Sequence, residues 1–405
     1  MTNAINNKPL TVTIFMEPGS SLMQWDAKGQ LGREFKYLLA RCDLGMRINL
    51  LSFAGPSERD FAPPSPNIRL LCNSMELPYR SFVRRAHQVH ALPILRSQVI
   101  RTTNVHGMRP ALRAHWAWRT PLVCRNEYFW SAGIETKPEI LPSQVQEAYD
   151  YERHIYTKAS HIMVASEFQK QEVLRRAPSA AGKVTSIPLY VDCELFQPMG
   201  SEKRYDLVYV GWLYRVKNLE AMLEAVERTG ATIAIIGESS VDAEGNPEEP
   251  EVAERLKARF GDLDGRIDWL GSMPNEELPA YINQAKALIL CSFSEGFPRC
   301  MLEALACGVP VIGSKVGGLQ STLRHGETGW LCETDADSIA AAIDAVLSQP
   351  RLIEKMGRNA RQFALENFSL SAVARQEYEL LADVARRHPV DGIAKRVANY
   401  VMRRR

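Results

Sequence analysis

The sequence of 405 residues has almost no net charge, no long apolar run and no closely paired cysteines. A formal charge of +2 argues against a dedicated nucleic-acid binder, whose phosphate contacts need a basic excess. No apolar stretch approaches the roughly 18 residues a membrane-spanning helix requires. Cys42, Cys72, Cys124, Cys193, Cys291, Cys300, Cys307 and Cys332 form no Cys-x-x-Cys pair, and no His/Cys cluster has zinc spacing. Most of them sit in apolar runs such as "LILCS" and "PLVCR", which predicts buried, reduced thiols. The start, "MTNAINNKPLTVTIFMEPG", lacks the layout of a signal peptide, so a cytoplasmic protein is expected. No strand-like run is followed by Gly-x-Gly-x-x-Gly with an acid about 20 residues on. That argues against a dinucleotide-dependent oxidoreductase, although the fold class read below would accommodate one.

What is present is an alternation of short apolar runs with amphipathic segments. The first half offers "LTVTIFME", "RINLLSF", "NIRLLC", "SQVIRTT", "PLVCRN", "HIMVAS" and "KVTSIP". The second offers "YDLVYVG", "ATIAIIG", "IDWLG", "ALILCS", "VPVIGS" and "GWLC". Helical patterns lie between them, which predicts an α/β protein with two doubly wound parallel sheets covered on both faces. The polar, Pro- and Gly-containing stretch 197–206 reads as a linker. The expected division is 1–198, 199–370 and a helical tail, 371–405, returning to the first domain.

The stretch "SEGFPRCMLEALACGVPVIGS", from Ser294 to Ser314, places Glu295 in a loop and Glu303 inside the helix that follows. Pro298 suits the first turn of that helix and Gly308 its end. A loop between a parallel strand and a helix N-terminus aims unpaired N–H groups at a ligand, and Gly296 lets a phosphate approach the backbone. Glu295 can take hydroxyls, and Glu303, flanked by apolar residues, can take the two hydroxyls of a ribose.

"SEGFPRCMLEALACGVPVIGSKVGGLQSTLRHGETGWL" resembles the signature of family 4 retaining glycosyltransferases of GT-B fold, with two Rossmann-like domains facing a cleft. "VASEFQKQEVL", "IPLYVDCELFQP" and "LVYVGWLYRVKNLEAMLEAV" extend the likeness over roughly 150–370. The resemblance implies that Glu295, with the backbone of Gly296 and Phe297 ahead of Pro298, holds the sugar and diphosphate of a nucleotide diphosphate sugar, and that Glu303 holds its ribose. It implies no other cofactor and no metal: "YVGWLYRVKN" supplies Lys217 and Arg215 for the leaving diphosphate, though Trp212 stands where many members carry that arginine. The Asp-x-Asp triplets at 262–264 and 335–337 read as a turn and a helix cap.

Many members also place a glycine-rich loop after the first strand and a histidine after a later one. Here Gly29 and Gly32 stand in the loop, and His106, or Arg125 with Asn126, stands at a strand end for the histidine's role. The acceptor expected is a glycan or a lipid-linked glycan. A catalytically silent nucleotide-sugar-binding subunit is the alternative. Between Glu76 and Glu127 there is no acid, but there are nine arginines (80, 84, 85, 96, 101, 109, 113, 119 and 125) with Trp116 and Trp118. With the basic tail "HPVDGIAKRVANYVMRRR", this suggests an anionic membrane surface as a further partner.

Overall fold

The computed structural model describes residues 9–135, 140–239 and 249–403. The chain forms two compact units. One comprises Met1–Ala165, Gln169–Ile187 and Ala374–Arg405; the other comprises Ser166–Phe168 and Pro188–Val373. The stretch 197–206 is thus part of the second unit. There Met199 donates its N–H to Asn283 Oδ1 at 2.9 Å, and Lys203 Nζ donates to the carbonyls of Asn283 and Ala285 at 2.9 and 2.7 Å.

The first unit holds β1 (Leu10–Phe15), β2 (Met46–Leu51), β3 (Ile68–Leu71), β4 (Val99–Thr102), β5 (Leu122–Asn126), β6 (His161–Val164) and β7 (Val184–Ser186). They form one parallel sheet in the order β3-β2-β1-β4-β5-β6-β7. The second unit holds β8 (Tyr205–Val210), β9 (Ile233–Ile236), β10 (Ile267–Gly271), β11 (Ala285–Leu290), β12 (Val311–Ser314) and β13 (Gly329–Cys332). Their order is β10-β9-β8-β11-β12-β13, again all parallel. Every apolar run singled out in the sequence is one of these strands. Most are buried along nearly their whole length, as parallel strands covered by helices on both faces must be. In each sheet the winding reverses beside the first strand of the unit: between β1 and β4, and between β8 and β11. At such a switch point the following loops part to opposite faces and leave a crevice at the carboxyl edge.

Six of the eight cysteines are buried, Cys193 and Cys300 are half-buried, and all are free. Asp335 caps the helix Ala336–Leu347, its Oδ1 accepting from the Ser338 N–H at 2.9 Å. Asp264 and Leu263 form a turn with positive φ before β10.

The tail helix Leu370–Arg387 brings Glu377 into the first unit, where it is fully buried. Its carboxylate accepts from Tyr37 Oη at 2.6 Å and pairs with Arg41 Nη1 at 2.6 Å and Arg101 Nε at 2.9 Å. Burial pushes this carboxyl up, but Arg101 and Arg41, with the Tyr37 hydroxyl, outweigh it and hold the pKa at about 2, below the ordinary 4.5. A depressed carboxyl contributes stability that is complete above its unfolded pKa and is lost as pH falls through the folded one. The first unit should therefore lose stability between about pH 4.5 and 2. Glu377→Ala, which strands two buried guanidinium groups, should cost about 3–5 kcal/mol at pH 7. Urea denaturation at pH 7, 4 and 3 measures both, and in Glu377→Gln the acid-dependent part should shrink.

Candidate functional site

The carboxyl edge of β11 leads into the loop Cys291–Pro298 and the helix Arg299–Ala306. Pro298 is the residue before the first turn, with extended backbone (φ −72°, ψ 127°), rather than a member of that turn. Pro298, at the cap position, offers no side-chain hydrogen bond to the helix. Phe297 anchors the loop from below, its ring 6.0 Å from that of Phe368. Gly308, with φ +70°, ends the helix region as expected.

Glu295 is buried to 8% exposure. Its Oε1 accepts from Lys217 Nζ at 2.6 Å and from Ser292 Oγ at 2.7 Å. Ser314 Oγ in turn donates to the Ser292 carbonyl at 2.6 Å. Among the described residues no partner is recorded for Oε2, so that oxygen can accept from a ligand. Burial works against the Lys217 ammonium, but the Glu295 carboxylate beside it, with Tyr214, more than offsets this, and its pKa lies above the ordinary lysine value. Lys217 is a fixed cation, only 14% exposed.

Lys217 ends the short 3-10 turn Arg215–Lys217 that follows β8. Two sutures hold that turn against the β11 loop. The Asn218 amide donates to the carbonyls of Cys291 at 2.9 Å and Thr334 at 2.7 Å, and the Phe293 N–H donates to the Val216 carbonyl at 2.9 Å. The pair therefore stands over the switch point between β8 and β11. Arg215 is not brought to it. Its side chain is 66% exposed and is paired with Glu249 and Glu251. Trp212 is half-exposed, and its carbonyl accepts from the buried Tyr209 hydroxyl at 2.9 Å. Glu303 is buried to 8% exposure and accepts from Asn275 Nδ2 at 3.3 Å. Sequence reasoning missed Asn275, Ser292, Ser314 and Asn218. Only Asn218, directly before a helix in "VKNLE", carried a local signal.

The edge of the first sheet has a counterpart at its own switch point. His106 follows β4, its ring 5.1 Å from that of Trp130 and 6.1 Å from that of Tyr128. Burial and the nearby Arg109 push the His106 pKa down, so it is neutral at pH 7. Glu17, two residues beyond β1, accepts from the Tyr128 hydroxyl at 3.2 Å, and burial raises its pKa. Asn126 ends β5 fully buried, with neither its amide nitrogen nor its oxygen bonded. Arg125 is also buried, but it is committed to the Ile187 carbonyl at 2.8 Å and Glu127 at 3.2 Å. Gly29, φ +62°, makes the turn between the helices Leu22–Ala27 and Leu31–Asp43, and Gly32 lies exposed in the first turn of the latter. Glu17, placed just after a strand in "FMEPG", was overlooked.

Two doubly wound parallel units of this kind make up the GT-B fold. Solved structures with the same fold include sucrose-phosphate synthase from Thermosynechococcus elongatus, at TM-score 0.74 and 22% identity over 92% of this chain and 98% of that one. The Anabaena protein HepE, solved with UDP, matches at TM-score 0.70 and 16% identity over 92% and 99%. Residues 194–363, which lie within the second unit, match the family Glycosyl transferases group 1. N-acetyl-alpha-D-glucosaminyl L-malate synthase of Bacillus anthracis is 28% identical over 191 residues, 46% of this chain and 47% of that protein. The chain spans about half the length of the curated relatives it matches.

The loop bearing Glu295 is clamped from the side of β12. The Gly318 N–H donates to the Glu295 carbonyl at 2.9 Å, and a Cβ at Gly318 would run into the Gly296 carbonyl. Gly318→Ala should therefore shift the loop and cost about 1–3 kcal/mol, the usual penalty of overpacking. Thermal denaturation of the purified protein is the measurement.

Proposed function

We propose that the protein transfers a sugar from a nucleotide diphosphate sugar to a glycan or lipid-linked acceptor, with retention at the anomeric carbon and without a metal ion. The observation that carries this reading is the buried Lys217–Glu295 pair, one of its carboxylate oxygens open, in the loop that leads into a helix at the β8/β11 switch point. Glu303 takes the ribose hydroxyls, with Asn275 steadying its carboxylate. The N–H groups of Gly296 and Phe297 face the diphosphate. Glu295 Oε2 accepts from the sugar's hydroxyls. The anomeric C–O bond to the phosphate breaks, a bond to the acceptor oxygen forms, and the acceptor's proton ends on the leaving diphosphate. Negative charge grows on that diphosphate, and Lys217 meets it as a fixed cation that need not reorganise. Arg215 would have to leave Glu249 and Glu251 to help, so the charge falls chiefly on Lys217.

The first unit's edge suits an acceptor's hydroxyls. Glu17 accepts, neutral His106 donates or accepts, the unbonded Asn126 amide offers both, and Tyr128 and Trp130 supply apolar ring faces. UDP in the HepE structure makes a uridine nucleotide the first donor base to try. A silent nucleotide-sugar-binding subunit is the second reading, favoured by Trp212, and turnover separates the two.

A cation about 4 Å from a unit charge is worth about 4 kcal/mol at an effective dielectric near 20, or about 10³ in rate. Lys217→Ala should lose about that much in kcat, and wild-type turnover of a panel of UDP-, GDP-, ADP- and dTDP-sugars should survive EDTA. Abolition by EDTA with rescue by Mn²⁺ would assign the charge to a metal, and no turnover of any donor that binds would favour the silent subunit. In calorimetry, Glu303→Ala should weaken both nucleoside diphosphate and intact donor, whereas Glu295→Ala should weaken the donor alone. Unchanged donor affinity in both variants would sink the assignment.

A further inference from the structure

The last helix, Ile393–Met402, is polar on the face it buries and apolar on the face it shows. Arg396 is 1% exposed. Its guanidinium donates to the Leu95 carbonyl at 2.8 Å, to the Trp118 carbonyl and to the Thr120 hydroxyl. Leu95 and Trp118 lie in the last turns of the helices Ala91–Arg96 and Met108–Trp118, where carbonyls lack helical partners and the dipole favours a cation. Tyr400 adds a ring 4.5 Å from that of Trp118 and accepts from Gln88 Nε2 at 2.7 Å. The helix is thus fixed to the first unit through charge and hydrogen bonds. Arg396, counted among the tail's surface cations in the sequence, is withdrawn from the surface. So are Arg101 and Arg125 of the nine-arginine segment.

The outward face carries Ile393, Ala394, Val397, Ala398, Val401 and Met402, all exposed. These positions follow the spacing of a single helical face. A globular protein normally hides such a face, and an exposed apolar patch with a polar rim marks an interaction surface. Exposed cations stand on this helix, Lys395 and Arg403, and on the helix Tyr79–Val89 that bonds it through Gln88 and Tyr400, where Arg80, Arg84 and Arg85 are exposed. Lys395 is paired with Asp391 at 3.0 Å, but from 77 to 126 no acid offsets the arginines. Arg404 and Arg405 lie outside the described residues. An apolar strip without hydrogen-bonding groups, on a helix that also carries exposed cations, complements the acyl boundary and headgroups of an anionic bilayer.

We propose that the helix Ile393–Met402 is an interfacial anchor. Its apolar face enters the headgroup–acyl boundary of an anionic membrane, and Arg80, Arg84, Arg85, Lys395 and Arg403 engage the headgroups. The inference deepens the reading of a lipid-linked acceptor, and its test does not depend on turnover.

The full chain is sedimented with phosphatidylcholine vesicles and with vesicles containing phosphatidylglycerol, at low and moderate salt. Binding should be confined to the anionic vesicles and should weaken with salt. Val397→Asp with Val401→Asp changes only exposed side chains, so it should leave the thermal transition and donor binding unchanged while lowering vesicle binding about tenfold or more. Arg80→Glu, Arg84→Glu and Arg85→Glu together should release the protein as well. Equal binding to both vesicle types, binding to neither, or full binding by the double aspartate variant would overturn the anchor. So would a dimer that the aspartates dissociate, since the face would then belong to a second copy. Vesicle binding without donor turnover would leave the anchor standing and remove the enzyme reading instead.

Discussion

A parallel sheet that winds outward from its middle leaves one place where neighbouring strands send their loops to opposite faces. The rest of this structure depends on that constraint. At β8 and β11 it brings the Arg215–Lys217 turn and the Cys291–Pro298 loop side by side, though they are far apart in sequence. The Asn218 amide, next to that turn, then ties it to the loop through the Cys291 carbonyl and also bonds the carbonyl of Thr334, beyond β13. A lysine and a glutamate that would be solvated singly become a buried pair with one carboxylate oxygen still open to a ligand. The same constraint at β1 and β4 gathers Glu17, His106, Tyr128 and Trp130, a different set of groups with different chemistry.

Both units also use buried charge, to different ends. The Lys217–Glu295 pair sits at a carboxyl edge and retains an acceptor oxygen. Glu377, with Tyr37, Arg41 and Arg101 around it, holds a helix in place. Arg396 does so without a carboxylate bonded to it, taking main-chain carbonyls and a hydroxyl instead. Arginine suits that role because its planar fork keeps several donors aimed at fixed acceptors while its charge is delocalised.

The strands were legible because buried parallel strands leave uninterrupted apolar runs such as "ATIAIIG", and no neighbour is needed to see them. The strand–loop–helix setting of Glu295 and Glu303 was legible because strand, loop and helix signals frame it locally, whereas Lys217 was reached through the resemblance of "YVGWLYRVKN". Ser292, Asn275 and Glu17 were not, because their significance lies in which loop they meet. The arginines misled for the same reason: Arg101 reads as one of nine surface cations until Glu377, 276 residues away, is placed beside it. The division of the chain was blurred at 197–206, where polar residues that look like a linker are bonded into the second unit.

The return of the tail bears on the order in which the protein can be built. Tyr37, Arg41 and Arg101 leave the ribosome long before Glu377 does, and the whole of Pro188–Val373 is made in between. At roughly 5–20 residues per second, the 276 residues from Arg101 to Glu377 take about fourteen to fifty-five seconds. Throughout that time the nascent first unit carries two guanidinium groups with no carboxylate to meet them, whereas the second unit is complete once Val373 has been made. Vectorial synthesis would thus complete the amino-terminal unit last, and a chain released after Val373 but before Glu377 would carry a complete second unit and an unfinished first.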